Sequence, residues 1–338
     1  MDRPPPRIAV VVLGMHRSGT SALTRALSLA GLALPPDTGR VWESRTIIGI
    51  DNRILTRFGL DWFAPGEVPA ERLVGPEFAD LRREAVTALG TLFGPSGHFI
   101  VKEPRMARLV PFWDLALREF GAEPRYVLAV RSPSDVASSL AARNDMDAAT
   151  ALTLWTDHVA AAERDTRGRP RAVSDYGMLL RDKSREVERL VAALALPLPA
   201  LGAAERAEID AFVSDDGDHV RSDPREVLAT GVASVAAAVL YARMTGDPGS
   251  EAAVRTLAGH LDRCAAIPAM AALGPDAPQP LAAPRPLRTG RRQKAEGSEA
   301  PAGRRKRRDR TAAASGRGWP AGLMATVGRL FGFGRKSR

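Results

Sequence analysis

The feature that most constrains the fold of this chain is a glycine-bounded loop near its N-terminus. The loop is residues 14–21, Gly-Met-His-Arg-Ser-Gly-Thr-Ser, and it lies between the apolar run 8–13 and a helical pattern that ends at Gly31. Two glycines let the backbone turn its N–H groups inward, and the new helix directs the positive end of its dipole to the same spot. This strand, loop and helix predict a site for a phosphate-bearing ligand.

The loop differs from the phosphate loop of nucleoside triphosphatases. That loop reads G-x-x-x-x-G-K-[ST], whereas Gly19 is followed here by Thr20, so the lysine that reaches the β- and γ-phosphates is absent. The cation of this loop is Arg17 instead. Such a loop suits a 5′-phosphate with one further group attached. The alternative is an ordinary strand-to-helix turn with a capping Ser or Thr.

Further short apolar segments alternate with helical patterns along the chain. We expect strands at 8–13, 98–101, 125–130 and 172–174. The order of strand, loop and helix predicts an α/β fold with a P-loop-like parallel sheet that is flanked by helices on both faces. Apolar residues make up 45% of the 338 residues, enough for a core of this size. The predicted helices are 44–58, 76–93, 109–120, 133–142, 150–165, 178–194 and most of 203–273.

The positive charge of the chain is concentrated in its tail, residues 276–338. The whole chain has a formal net charge of +9, whereas the tail alone has 16 Lys and Arg against 4 Asp and Glu. Because the tail begins with Pro-rich sequence and continues with the basic run 304–308, we expect it to be disordered. Within it, 319–333 predicts a short amphipathic helix that lies on an anionic membrane surface or against a partner protein. The alternative is a solvated basic tail that keeps the protein soluble or binds polyanions loosely.

The preceding residues, 1–275, are expected to form one α/β domain whose last part, 203–275, is a mostly helical extension. The single cysteine, Cys264, excludes an internal disulfide. No segment is long and apolar enough to span a membrane, and 8–13 is too short for a signal sequence. We therefore expect a cytoplasmic protein that the tail brings to the inner face of the membrane.

Polar features follow the end of each predicted strand. The loop at Gly14 follows the first strand, Lys102 the second, Arg131 the third and Tyr176 the fourth. Carboxyl ends of parallel strands share one rim, and ligands bind there in open α/β sheets. We expect a ligand with at least two anionic groups at this rim. Because an Arg stands where a magnesium-binding Asp is common, the residues favour a transfer without metal, such as sulfuryl transfer.

Three motifs resemble those of the sulfotransferases that use 3′-phosphoadenosine 5′-phosphosulfate (PAPS), especially bacterial and tyrosylprotein-type members. Residues 14–21 resemble the family's 5′-phosphosulfate loop, and 101–104, Val-Lys-Glu-Pro, resemble its strand-end Lys-acid-Pro motif. Residues 131–139 resemble its 3′-phosphate motif, with an Arg at the strand end and a Ser eight residues later. The segment 173–180 resembles a later strand whose Tyr contacts adenine. The resemblance covers residues 8–195.

The resemblance implies a donor substrate, PAPS, and a role for each matching residue, with no metal. Arg17 and the loop N–H groups hold the 5′-phosphosulfate, Arg131 and Ser139 hold the 3′-phosphate, and Lys102 stabilises charge on the sulfuryl group in flight. Glu43 follows the first helix, where relatives with a glutamate base carry it. The predicted catalytic residues are Glu43, Lys102 and Arg17, and the predicted donor-binding residues are Gly14, His16, Arg17, Ser18, Gly19, Thr20, Ser21, Arg131, Ser139 and Tyr176.

Several of these residues also admit a structural interpretation. Glu43 precedes a helix that Ser44 caps, so it either serves as the base or complements the helix dipole. His16 is the second candidate base and is expected to pack or to contact the donor.

The residues beside Lys102 and the tryptophans also have more than one possible role. Glu103 is expected to orient Lys102, and Arg105 either binds an acidic acceptor or forms a surface ion pair. The tryptophans Trp62, Trp113 and Trp155 either line an acceptor cleft or belong to the core.

Three functions are compatible with the sequence. The leading one is a PAPS-dependent sulfotransferase that acts on a hydroxyl of a carbohydrate, a glycolipid or a small metabolite. The second is a metal-dependent small-molecule kinase, against which the missing loop lysine counts. The third is a non-catalytic scaffold that acts through its basic tail at a membrane or polyanion. No specific nucleic acid is expected as a partner.

Overall fold

Four parallel strands form the central sheet. The structure is a computed structural model that describes residues 7–94, 96–212 and 232–246. Its strands are β1 (Arg7–Leu13), β2 (His98–Lys102), β3 (Ala122–Val130) and β4 (Arg171–Asp175), in the spatial order β2-β1-β3-β4. The expected α/β fold with a parallel sheet is confirmed.

The alternation of side chains along β1 divides the core into two layers. Ala9, Val11 and Leu13 face one hydrophobic cluster, and Ile8 and Val12 belong to the cluster on the opposite face. Since β1 pairs with β2 on one side and β3 on the other, both of its faces and both of its edges are covered. This is why the strand reads as an uninterrupted apolar run.

Helices cover both faces of the sheet. The helices α1, α9 and α10 pack on one face, and α2, α4 and α5 pack on the other, while α6, α7 and α11 enclose a third cluster beside Val130. Two turns of 3₁₀-helix lie at Pro76–Phe78 and Pro104–Arg108. The α-helices are α1 (Thr20–Leu29), α2 (Arg45–Thr56), α3 (Ala70–Leu73), α4 (Ala79–Phe93), α5 (Val110–Glu119), α6 (Pro133–Asn144), α7 (Ala148–Asp165), α8 (Tyr176–Arg181), α9 (Lys183–Ala193), α10 (Ala203–Phe212) and α11 (Val232–Thr245).

The structure differs from the sequence prediction at two elements. The helix expected over 178–194 is two helices, because Asp182 has an extended backbone (φ −154°, ψ 89°) and its carboxylate accepts a hydrogen bond from the N–H of Arg185 at 3.2 Å. Asp182 thus caps a new helix and ends the old one. Strand β3 begins three residues earlier than expected, at Ala122, since Ala122–Pro124 pair with the start of β1.

Some sequence predictions lie outside the described residues. These are the basic tail 276–338 with its amphipathic segment 319–333, the parts 213–231 and 247–273 of the expected helical pattern, and Cys264. Among the residues described, no helix is both long and apolar enough to cross a membrane.

Candidate functional site

The carboxyl ends of the four strands bring the sequence motifs to one rim. The register sets Val12 beside Lys102, Leu13 beside Leu128 and Val130 beside Asp175, so the strands end at a common level. The loop after β1, the last residue of β2, Arg131 after β3 and Tyr176 after β4 therefore lie along this edge. Convergence at the rim was the central structural prediction for the site, and the sheet topology accounts for it.

The loop after β1 turns sharply where the sequence has glycine. A Cβ at Gly14 would lie 2.4 Å from the carbonyl oxygen of Ala129, so only glycine lets the loop pass this close to β3. Gly19 adopts a left-handed backbone (φ 81°) immediately before α1. Arg17 also has positive φ (71°), an uncommon conformation for a residue with a side chain.

The loop has unsatisfied hydrogen-bonding groups suited to an anion. Ser18 is 2% exposed, and its hydroxyl has no hydrogen-bond partner among the described residues. The first hydrogen bond within this helix runs from the Leu23 N–H to the Gly19 carbonyl (3.1 Å). The N–H groups of residues 20–22 come before that bond, so they point out of the helix N-terminus. A buried hydroxyl and free helix N–H groups are what a phosphate or phosphosulfate group needs. The residues present therefore fit the expected donor.

Arg17 joins the first motif to the third. Its Nε donates a hydrogen bond to the Ser139 hydroxyl at 2.8 Å, and the Arg131 guanidinium donates to the Arg17 carbonyl at 3.3 Å. The resemblance pairs Ser139 with Arg131 at the 3′-phosphate and assigns Arg17 to the 5′-phosphosulfate. In the structure the Ser139 hydroxyl accepts a hydrogen bond from the loop arginine.

Tyr176 borders the same region. The Arg131 guanidinium carbon lies 4.9 Å from the centre of the Tyr176 ring, and a Cβ at Gly19 would lie 2.2 Å from an atom of that ring. The Arg131 guanidinium also forms an ion pair with Asp135 at 3.7 Å, so this carboxylate, one turn into α6, orients the arginine. These contacts hold a flat aromatic face and a cation next to the loop.

Lys102 and Glu43 form an ion pair at the end of β2. The Lys102 ammonium donates to a Glu43 carboxylate oxygen at 2.7 Å, to the Val41 carbonyl at 2.6 Å and to the Ser21 hydroxyl at 3.0 Å. The lysine side chain is fully buried and that of Glu43 is 16% exposed. Burial lowers the pKa of Lys102, and the Glu43 carboxylate opposes that effect. Glu43 therefore holds the three N–H donors of the ammonium in place together with the loop.

The sequence suggested that Glu103 orients Lys102, but in the structure Glu103 binds Arg105. Its carboxylate accepts from the Arg105 backbone N–H at 2.8 Å and pairs with the Arg105 guanidinium. Beneath it, Asp51 accepts from the Trp113 indole N–H at 2.7 Å. Burial raises the pKa of both acids, and a hydrogen bond links the two carboxyl groups. Of the two alternatives for Arg105, the surface ion pair is wrong, since Arg105 is 8% exposed.

A cavity of about 230 Å³ opens beside the loop, Lys102 and Glu43. Trp62 lines it and packs on His16 with ring centres 4.9 Å apart, whereas Trp113 and Trp155 are core residues. Burial, together with the nearby cations, lowers the pKa of His16 to about 3. The ring is therefore neutral at physiological pH. The cavity-lining residues are His16, Arg17, Val41, Glu43, Ile48, Trp62, Arg105, Leu140, Arg143 and Asn144.

Sequence reasoning missed two residues of this region, Asp51 and Arg143, and one side chain, that of Ser18. Asp51 reads as an ordinary polar position on α2, and its partner Glu103 is distant in the chain. Ser18 was expected to contribute its backbone, but the buried hydroxyl gives it a second group. Arg143 lies four residues after Ser139 on α6, so the helical period places both on one side of that helix. That spacing was the available signal.

Comparisons with known proteins concern the fold. No protein-family model matches the chain, and no curated protein matches it. The sulfotransferase domain of the Synechococcus PCC 7002 olefin synthase is 18% identical with a TM-score of 0.44, over 72% of this chain and 97% of that one. Sulfotransferase STF9 from Mycobacterium avium is 16% identical with a TM-score of 0.40, over 63% and 69%. A retinol dehydratase in complex with androsterone and inactive cofactor PAP is 15% identical with a TM-score of 0.33, over 62% and 65%.

Among the described residues, no group of three or more His, Cys, Asp or Glu side chains is arranged to hold a metal ion.

Proposed function

We propose that the protein is a sulfotransferase that moves the sulfuryl group of PAPS to the hydroxyl of a carbohydrate, glycolipid or small-metabolite acceptor. One observation carries the proposal: two contacts between distant motifs assemble the rim. The bond from Arg17 to Ser139 (2.8 Å) joins the loop to the third motif, and the pair of Lys102 with Glu43 (2.7 Å) joins the second motif to the segment after the first helix. Cations that can bind a donor with two anionic groups thus lie beside a carboxylate that can accept the proton of the acceptor.

The donor-binding part of the site consists of groups that bind anions. The Ser18 hydroxyl, the N–H groups at the start of α1 and Arg17 surround the place for the 5′-phosphosulfate. Arg131 and Ser139 are proposed to hold the 3′-phosphate, and the Tyr176 ring, next to the Arg131 guanidinium, is proposed to contact the adenine. When bound, the donor supplies the sulfuryl group.

Glu43 is the proposed base. It lines the cavity in which an acceptor would lie and touches Lys102, so it can accept the proton of the acceptor hydroxyl while the oxygen attacks sulfur. The new S–O bond forms to the acceptor oxygen, and the bond between sulfur and the phosphate oxygen of the donor breaks. The electron pair leaves with the adenosine bisphosphate, next to Arg17 and Lys102.

The contacts of Lys102 couple these two events. All three N–H donors of its ammonium are engaged, with Glu43, the Val41 carbonyl and the Ser21 hydroxyl. A carboxyl group that has gained a proton accepts hydrogen bonds more weakly than a carboxylate. Proton uptake by Glu43 therefore frees one Lys102 N–H for the developing charge on the leaving oxygen.

The first test is calorimetric titration of the full-length protein with adenosine 3′,5′-bisphosphate without metal, beside ATP with magnesium. We expect the bisphosphate to bind without metal. Arg131→Ala should weaken that binding by about tenfold or more, the usual effect of losing a charge-assisted hydrogen bond to phosphate. Ser139→Ala, which removes only a hydroxyl, should weaken it less.

A control variant and the alternative outcomes make this test decisive. Arg83 is exposed on α4, away from the site, so Arg83→Ala should bind like the wild type. Binding of only ATP with magnesium would support a kinase, and binding of neither nucleotide would support a scaffold. Either result would overturn the proposal.

A further inference from the structure

The cavity beside Glu43 has more positive charge than the donor requires. The described residues that line it include the guanidinium groups of Arg17, Arg105 and Arg143 but a single carboxylate, Glu43. Glu43 is already paired with Lys102, which lies just behind it. The charge balance of this cavity is therefore positive even before the anionic donor is considered, and the donor contacts account for Arg17.

Arg143 is the cation that the donor site leaves over. It lies in the last turn of α6, it is exposed, and among the described residues it forms no hydrogen bond or ion pair. It shares the cavity wall with Leu140 and Asn144 of the same helix. An arginine in the wall of a cavity, with all of its donors available, is suited to bind a carboxylate or phosphate group of a ligand.

Arg105 supplies a second cation at the same cavity. Its residue is 8% exposed, and Glu103 fixes the guanidinium from behind through an ion pair. The Nε of Arg105 is buried without a hydrogen-bond partner among the described residues. Glu103 is thus an internal counterion that holds Arg105 rigidly at the cavity wall.

The charged groups around His16 indicate that the electrostatic potential inside the cavity is positive. After burial, the causes that lower its pKa are Arg105, Lys102, Arg143 and Arg17, in that order. All four are cations, so a negative group placed in this cavity is stabilised. Trp62, whose ring packs on His16, adds an aromatic wall that suits the face of a sugar or phenol ring.

We infer that the acceptor carries an acidic group beside its reactive hydroxyl, bound by Arg143 with Arg105 while Glu43 faces the hydroxyl. This inference rests on the proposed function, because it concerns the acceptor of that same reaction. The shared chemistry is an anionic oxygen, carried by a carboxylate or by a phosphate. The volume of about 230 Å³ fits one ring with its substituent rather than a long chain.

The test uses matched compounds that differ only in the acid. Full-length protein is saturated with adenosine 3′,5′-bisphosphate and titrated by calorimetry with one member of each pair. Two pairs test a carboxylate: methyl glucuronide against methyl glucoside, and 4-hydroxyphenylacetate against 2-(4-hydroxyphenyl)ethanol. A third pair, glucose 6-phosphate against glucose, tests a phosphate.

We expect the acidic member of at least one pair to bind about tenfold or more tightly than its neutral partner. Arg143→Gln should remove most of that preference without changing the affinity for the bisphosphate, and Arg143→Lys should keep part of it. Arg83→Gln, a matched loss of one exposed arginine on α4, should leave the preference intact. Added salt should weaken binding of the acidic members selectively.

The possible failures are distinguishable. If the bisphosphate itself does not bind, the proposed function fails, and the inference fails with it. If the bisphosphate binds but the acidic members bind no better than the neutral ones, or do not bind at all, only the inference is overturned. It is also overturned if the Arg143→Gln variant keeps the full preference for the acid.

Discussion

At the scale of single residues, the site has two groups that could take the proton of an acceptor, Glu43 and His16. Both line the cavity, but their surroundings differ. Glu43 is held by the Lys102 ammonium, whereas His16 packs on Trp62 and its Nε2 has no partner among the described residues. With a pKa of about 3, His16 is a weak base and gains no charge between pH 5 and 8. The structure therefore favours Glu43.

The choice of base gives a prediction for turnover. Glu43→Gln keeps an acceptor oxygen for Lys102 but cannot take a proton, so kcat should fall by about 10²- to 10⁴-fold while bisphosphate affinity stays near that of the wild type. His16→Gln should lower kcat less than about tenfold. Because a lowered pKa keeps the His16 ring neutral above about pH 4, this variant should also retain the acid limb of the wild-type pH profile.

Steady-state kinetics between pH 5 and 8 with both variants measure this, and thermal unfolding verifies that each is folded. Loss of turnover in the His16 variant with full activity in the Glu43 variant would reverse the assignment.

At the scale of elements, the start of α1 and the start of α8 are fitted to each other. Gly19 ends the loop before α1 with a left-handed backbone, and the ring of Tyr176, the first residue of α8, lies directly against it. Two helix N-termini that follow different strands are thus in contact at the rim. The absence of a side chain at Gly19 sets how closely they approach, and with it where the Tyr176 ring lies relative to Arg131.

This contact predicts a specific pattern of coupling. Gly19→Ala places a methyl group where the Tyr176 ring lies and also strains a positive φ, so it should weaken bisphosphate binding and lower the melting temperature. In the Tyr176→Ala background the clash with the ring disappears. Gly19→Ala should then reduce the bisphosphate affinity and the melting temperature clearly less than it does in the wild type. A double-mutant cycle on affinity and stability measures the difference.

Gly49 provides the control for that cycle. It lies inside α2, and a Cβ there would meet nothing within 4 Å, so Gly49→Ala should stabilise the protein by about 0.5–1 kcal/mol and leave affinity unchanged. Strict additivity of the Gly19 and Tyr176 changes would contradict the contact seen in the structure.

At the scale of the whole molecule, charge is divided between two parts of the chain. Residues 276–338 have 16 Lys and Arg against 4 Asp and Glu, although the net charge of the entire chain is only +9. Every residue assigned to the candidate site lies between 14 and 176. The part of the chain proposed to do the chemistry and the part proposed to bind a polyanion are therefore separate in sequence.

This division predicts the effect of ending the chain after residue 275. The shortened protein should bind adenosine 3′,5′-bisphosphate as the full chain does. It should lose binding to vesicles of phosphatidylcholine with phosphatidylserine, since each Lys or Arg near an anionic surface contributes about 1 kcal/mol. Vesicle co-sedimentation at low and high salt, with pure phosphatidylcholine vesicles as the control, measures this. Equal vesicle binding by both proteins, or lost bisphosphate binding in the shortened one, would refute the division.

The sequence by itself determined the parts of this protein that depend on local patterns. The apolar run before Gly14 predicted a strand of a parallel sheet that is covered on both faces, and the glycines of the loop predicted a close turn before a helix. Parallel strands end on one side of a sheet, so the positions of Lys102 and Arg131 at strand ends were enough to predict that they share a rim.

Only the tertiary structure decided which side chains at that rim touch. Arg17 reaches Ser139 across 122 residues, and Glu103 pairs with Arg105 rather than with Lys102. Pairing between distant polar groups depends on burial and on packing distances of a few ångströms. The spacing of residues along the chain contains no information on burial or on packing distances. The rim was therefore predictable, and its contacts were not.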